Sequence, residues 1–183
     1  MRPMKSWASC WKRRSTLVNR HMKEFGTGIA VEYRHYARVF ISRHDETAII
    51  VALHYNGEGG LLYEDEHPVV LRGPLEATTL GHETKVALDK TEIRAPVSFA
   101  DHKLKDWPAF KASRMRSGRQ FERDFIYIRL SGANEVNLVY LIEGYPDKDA
   151  ELTVLASISS GVAAEELGEL IILVYRACRD RRV

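Results

Sequence analysis

Thirteen consecutive residues, 29–41 (IAVEYRHYARVFI), carry apolar or aromatic side chains at most odd positions and charged side chains at positions 32, 34 and 38. Successive side chains of a β-strand point to opposite faces, so this period of two predicts a long strand with one buried face. The polar stretch 43–46 that follows predicts a turn.

The chain on the C-terminal side of this strand continues the β pattern. Residues 47–55 are rich in β-branched and apolar side chains on both faces, which predicts an interior strand. A glycine-rich turn at 56–60 leads into a third strand at 61–71, where Pro68 indicates an edge or a bulge. We therefore expect an antiparallel meander in the first ninety residues. Residues 83–88 and 91–97 could form further short strands.

The second half of the chain predicts both helices and strands. A helical segment is expected near 99–115, where Pro108 starts a second helix or breaks the first. Strands are expected at 121–130, 136–142 and 152–158, the first two joined as a hairpin. A C-terminal helix is expected near 162–179, because acids lie toward its start and arginines toward its end, as the helix dipole favours. The sequence thus predicts an α+β fold with a mainly antiparallel sheet of about six to eight strands.

Charge is distributed unevenly along the chain. Residues 1–22 carry six basic side chains and no acid, and residues 176–183 carry four arginines and one aspartate. Since the whole chain has a formal net charge of +2, residues 23–175 hold −7. An acidic body favours basic partners and repels nucleic acid, so no nucleic-acid partner is expected for it.

The basic segment 1–22 has several interpretations. It could be an organellar transit peptide, an arm for nucleic acid or anionic membranes, or a flexible leader outside the mature protein, with Met22 as the true start. The change in composition at Met22 favours the last interpretation, beside that of a solvated tail without function. Residues 23–183 are then expected to form a single α+β domain.

Several classes of protein are excluded by what the sequence lacks. Its two cysteines, Cys10 and Cys178, are too few for a disulfide scaffold or a four-cysteine zinc site. It contains no phosphate-binding glycine loop, no H-E-x-x-H motif and no G-x-S-x-G motif. No cofactor, metal or membrane-spanning segment is predicted, and free cysteines without an export signal favour the cytoplasm. These absences lean against an enzyme without excluding one.

The leading hypothesis is a non-catalytic protein whose acidic, aromatic-bearing surface docks a basic protein partner, for example an inhibitor or immunity protein. Carboxylates steer a basic partner and aromatic side chains anchor interfaces. The residues predicted to bind the partner belong to two acidic stretches, one in the third predicted strand and one in the turn before the strand at 152–158: Tyr63, Glu64, Asp65, Glu66, Asp147 and Asp149. The oligomeric state stays open.

The alternative hypothesis is a small-molecule-binding or catalytic domain with a cavity between a curved sheet and the C-terminal helix. His54 and His67 would approach each other if their strands pair across the turn at 56–60, and Asp65 or Glu66 could orient one ring. Of these residues, His54, His67 and Asp65 are the candidates for the site. An ordinary solvated histidine beside acidic turn residues explains the same pattern and is favoured.

Overall fold

The strand predicted at 29–41 is present as β1, within a computed structural model that describes residues 34–57, 62–95, 103–133, 137–146 and 153–181. The predicted leader 1–22 and residues 29–33 of the alternating stretch lie outside the described residues. Five strands precede the middle of the chain: β1 (Tyr36–Ser42), β2 (Ala48–Asn56), β3 (Leu62–Glu64), β4 (Val69–Leu71) and β5 (Ile93–Arg94). Three follow it: β6 (Phe125–Gly132), β7 (Val139–Tyr145) and β8 (Val154–Ser159). The helices are α1 (Ala77–Asp89), α2 (Pro108–Ser113), α3 (Gly118–Asp124) and α4 (Ala164–Asp180), with a 3-10 turn at Leu104–Asp106.

All eight strands belong to one sheet in the order β3-β2-β1-β6-β7-β8. The neighbours in this order are antiparallel, β4 pairs with the first part of β2, and β5 runs parallel to its last residues. The predicted α+β class with a mainly antiparallel sheet is therefore confirmed.

The main core lies between one face of the sheet and the pair α1 and α4. Its largest fully buried side chains include Tyr175 and Ile171 of α4 and Leu88 of α1. The two helices touch through their backbones: a Cβ added at Gly168 would lie 1.8 Å from the carbonyl oxygen of Ala77. Only glycine permits this approach, so Gly168 sets how closely α4 packs on α1.

The opposite face of the sheet is covered only in part. Side chains of α2 and α3 pack on β1, β2 and the start of β6, in a second core that includes Phe40, Ile49 and Phe121. Our expectation of one buried face for β1 is therefore wrong, since Arg38 and Ser42 on its polar side are also buried. Helices α2 and α3 bury the second face of β1, and the residue pattern within β1 does not reveal this.

Several predicted segments need correction. Residues 83–88, expected as a strand, belong to α1, which interrupts the expected meander. Residues 121–124, expected at the start of a strand, form the end of α3 before β6 begins. The helical segment near 99–115 is present as the 3-10 turn and α2, which begins at Pro108.

The C-terminal elements follow the prediction closely. Strands β6 and β7 form the expected hairpin, and β8 pairs antiparallel with β7. The predicted helix near 162–179 is α4 at Ala164–Asp180. Among the described residues, no helix combines the length and the apolar character needed to cross a membrane.

Candidate functional site

His54 and Asp65, two residues of the alternative hypothesis, are hydrogen-bonded to each other. His54 Nε2 lies 2.8 Å from Asp65 Oδ2, and the imidazole has no solvent exposure. The pairing of β2 with β3 brings them together, because it places His54 opposite Tyr63, two residues before Asp65. Asp65 is thus the one of the two carboxylates considered in the sequence analysis that contacts His54.

Asp65 is the centre of a larger polar cluster. Its Oδ2 also accepts a hydrogen bond from Arg94 Nη2 at 2.9 Å, and its Oδ1 accepts one from the backbone N–H of His67 at 2.8 Å. Burial disfavours the charged form of Asp65, but the hydrogen bonds from His67, His54 and Arg94 outweigh it and lower the pKa of this carboxyl to about 2. Asp65 is thus an anion held by internal donors.

The other nitrogen of His54 faces a second carboxylate. His54 Nδ1 lies 3.9 Å from Glu92 Oε1, which is beyond hydrogen-bond distance, and Glu92 itself accepts a hydrogen bond from Arg94 Nε. Sequence reasoning missed Glu92 and Arg94, which lie on the far side of α1 in the chain. No local pattern links them to His54, since only the folded position of β5 beside β2 does so.

His67 does not complete a histidine pair. It joins the cluster through its backbone N–H, and its exposed side chain lines a shallow depression of about 230 Å³, open solvent included, together with Asp65, Glu83 and Lys90. His54 does not line this depression. Within the described ranges, no three His, Cys, Asp or Glu side chains are grouped so as to hold a metal ion.

Glu64 lies inside the protein. Its Oε1 accepts a hydrogen bond from Arg38 Nη1 at 3.0 Å and its Oε2 accepts one from the backbone N–H of Ala109 at 2.9 Å. The Arg38 guanidinium in turn lies 4.9 Å from the centre of the Trp107 ring. Glu64 therefore ties β3 to β1 and to the start of α2.

The surface predicted at residues 63–66 is much smaller than expected. Glu64 and Asp65 are both buried and paired within the fold, whereas Tyr63 is half-buried and Glu66 is exposed. Asp147 and Asp149 lie outside the described residues. Of the carboxylates predicted to meet a partner, Glu66 alone is exposed in the described part of the chain.

A second surface lies on strands β6 to β8, on the face of the sheet opposite α1 and α4 and away from α2 and α3. We call this surface the open face. Its side chains are exposed or half-buried: Tyr127, Arg129, Leu141, Glu143, Tyr145, Leu155 and Ser157. Leu155 has 62% of its surface exposed. Sequence reasoning placed several aromatic residues on these strands but had no means of telling which face the helices leave uncovered.

The open face is ordered by contacts across its strands. Tyr145 stacks on Tyr127, with ring centres 5.1 Å apart, and Tyr127 stacks on Phe40 of the second core at 5.4 Å. Arg129 Nε donates a hydrogen bond to Glu143 Oε2, and Glu143 lies opposite Leu155 in the register of β7 with β8. These contacts hold an aromatic and aliphatic surface on regular strands.

Comparison with known proteins informs the fold alone. No protein-family model matches the chain, and no curated protein matches its sequence. Among solved structures, it is similar to a protein of unknown function, NMB0488, from Neisseria meningitidis, with a TM-score of 0.61 and 17% identity. The match covers 83% of this chain and 99% of the other. The similarity thus extends over most of both chains.

Proposed function

We propose that this is a non-catalytic binding protein that docks a basic protein partner on the open face. The observation that carries the proposal is the exposure of Leu155 beside half-buried Leu141 and Tyr145 on neighbouring strands. Apolar and aromatic side chains grouped on a rigid surface are typical anchors of protein interfaces. An inhibitor or immunity protein that neutralises a cationic toxin or nuclease is one concrete form of this function.

The basic character of the partner is inferred from the charge next to the open face. The connection between β7 and β8 contains Asp147, Asp149 and Glu151 against the single Lys148. This segment joins two strands of the open face in the chain, and its sequence has a net negative charge. Carboxylates at an interface rim accelerate and orient the approach of a positively charged protein.

The surroundings of His54 support binding over catalysis. A general acid or base must come within hydrogen-bond reach of the substrate, whereas His54 is fully enclosed and bonded to an ion-paired aspartate. The space between the sheet and α4 is filled by packed side chains such as Leu167, Ile171 and Tyr175. The pair His54 and Asp65 therefore fits a structural role in joining β2, β3 and β5.

Two leucines with nearly equal exposure allow a matched experiment. Leu155 lies on the open face, and Leu173, with 61% exposure, lies on α4, in the helical layer on the other side of the sheet. We expect immobilised wild-type protein to retain a basic protein at low salt and to release it at about 1 M salt, where the Debye length is about 3 Å. Leu155→Asp should abolish this capture, and Leu173→Asp should preserve it.

The proposal fails if both aspartate variants capture the same proteins as the wild type. It also fails if the retained proteins are not basic, or if about 1 M salt does not release them. Circular dichroism of both variants checks that each remains folded before capture is compared.

A further inference from the structure

Strand β8 forms one end of the sheet in the described part of the chain. In the strand order it follows β7, and among the described residues no strand pairs with its other side. The opposite end of the sheet is built differently: β3 and β4 have three residues each, and Pro68 separates them. Within the described ranges, the β8 end therefore offers the longer strand, of six residues, to an added chain.

The sequence of β8 lacks the usual features that prevent edge pairing. Its six residues, VLASIS, include no charge and no proline, and Leu155 is exposed. Natural edge strands are commonly protected by charges, prolines or bulges, because unpaired N–H and C=O groups otherwise recruit other chains. An edge without these features can accept another chain as an added strand.

The backbone groups that face this edge follow from the pairing of β7 with β8. The N–H of Ser160 donates to the carbonyl oxygen of Leu138 at 2.8 Å, and hydrogen-bonded pairs alternate along an antiparallel ladder. With Ile158 opposite Tyr140 in the register, Leu155 and Ser157 turn their N–H and C=O groups away from β7. The same two residues contribute side chains to the open face.

We propose that an extended basic segment of the partner pairs with β8 and continues the sheet, an inference that rests on the proposed function. One such segment would bond to the backbone of Leu155 and Ser157 while its side chains extend the open face. Main-chain pairing of this kind supplies affinity, and alternate side chains supply specificity.

Charge favours a basic segment over a second copy of this chain. Acids flank β8 in the sequence, with Asp147, Asp149 and Glu151 before it and Glu165, Glu166 and Glu169 after it. Pairing two copies of β8 would bring together two chains whose flanking sequences carry the same negative charge, which repel each other. A segment with lysines or arginines carries the opposite charge.

Backbone pairing can be tested on the full chain with synthetic peptides of about ten residues, the upper length of ordinary strands. The probe alternates lysine and valine, a second peptide alternates glutamate and valine, and a third carries backbone N-methyl groups on alternate residues of the lysine peptide. We expect the first peptide alone to slow hydrogen exchange at the amides of Leu155 and Ser157, by about tenfold at saturation.

Ser157 also offers a matched pair of variants. Proline at an edge position removes an outward N–H and leaves the β7 ladder intact, so Ser157→Pro should fold but lose the effect of the peptide. Ser157→Ala keeps the N–H and should retain the effect. Heteronuclear NMR spectra of both variants show whether the sheet is preserved.

Strand pairing is refuted if no peptide protects these amides, or if the N-methylated peptide protects them equally well. It is also refuted if they are already protected in the free chain, which would mean that another part of this chain covers the edge. The capture experiment separates this inference from the proposed function. If Leu155→Asp no longer captures the basic protein but Ser157→Pro still does, the partner docks on the open face without pairing with β8.

Discussion

Replacing Glu64 with glutamine should strongly destabilise the protein, because Glu64 forms a buried ion pair with Arg38. The Glu64 side chain has 2% of its surface exposed and that of Arg38 has 4%, and their nearest charged atoms are 3.0 Å apart. Glutamine preserves the size of the side chain but leaves the buried guanidinium without this carboxylate. It also weakens the hydrogen bond that Glu64 accepts from the N–H of Ala109.

The expected loss of unfolding free energy is about 3–5 kcal/mol, the usual effect of removing one member of a buried ion pair. With a urea dependence of about 2 kcal/mol per M, the midpoint of unfolding should fall by about 2 M. Arg38→Met combined with Glu64→Gln should be more stable than Glu64→Gln alone, because the double variant no longer buries an uncompensated charge.

Urea unfolding followed by circular dichroism measures these differences, and Glu66→Gln serves as the control. Glu66 is exposed two residues further along the chain, so its substitution should change stability by no more than about 0.5 kcal/mol. A Glu64→Gln protein within about 1 kcal/mol of the wild type would refute the structural role assigned to Glu64. It would also mean that Glu64 can contact a partner, as the sequence predicts.

Two further predictions concern helix packing and pH. Gly168→Ala should destabilise the protein by about 1–3 kcal/mol in thermal unfolding, because the added methyl group would overlap the carbonyl of Ala77. Gly161→Ala is the control and should not destabilise it, because a methyl group there meets only an ordinary contact. Equal effects of the two substitutions would contradict the close backbone contact at Gly168. The pKa of Asp65 is about 2 in the folded protein and near 3.8 in the unfolded chain, so its ionised carboxylate stabilises the fold by about 2 kcal/mol at pH values above 3.8. This contribution declines as the pH falls toward 2. The difference in unfolding free energy between wild type and Asp65→Asn should therefore be largest at neutral pH and about half as large at pH 3. A difference that does not change with pH would contradict the lowered pKa of Asp65.

The parts of the fold that the sequence predicts well have strong local patterns. Strands β6 to β8 alternate along their length, and the charges of α4 follow the helix dipole. Helix α1 was missed because residues 83–88 include β-branched Thr84 and Val86 and follow Gly81. Gly81 in fact favours the native helix through packing, since it allows the carbonyl of Ala164 to approach α1.

The sequence contains a signal for the start of α3. Ser117 and Gln120 have the spacing of a helix N-terminal capping box, and the Ser117 hydroxyl accepts a hydrogen bond from the N–H of Gln120. This would have placed Phe121 in a helix before β6. Local capping therefore outweighs the β-like character of the residues that follow.

The candidate site was only partly accessible from the sequence, because burial of a charged residue depends on distant segments. The contact of His54 with Asp65 followed from pairing across one turn. The partners Arg38 for Glu64 and Arg94 for Asp65 lie 26 and 29 residues away, so no short pattern links them. The open face likewise depends on where α2 and α3 end, which alternation within a strand does not record.

The proposed binding function is tested most directly by hydrogen–deuterium exchange of the chain alone and in complex with the basic protein captured at low salt. We predict that the partner slows exchange in β7 and β8, including Leu141, Tyr145 and Leu155, and leaves α1 unchanged. Protection confined to residues 63–67, or to the exposed side of α4 around Leu173, would contradict docking on the open face.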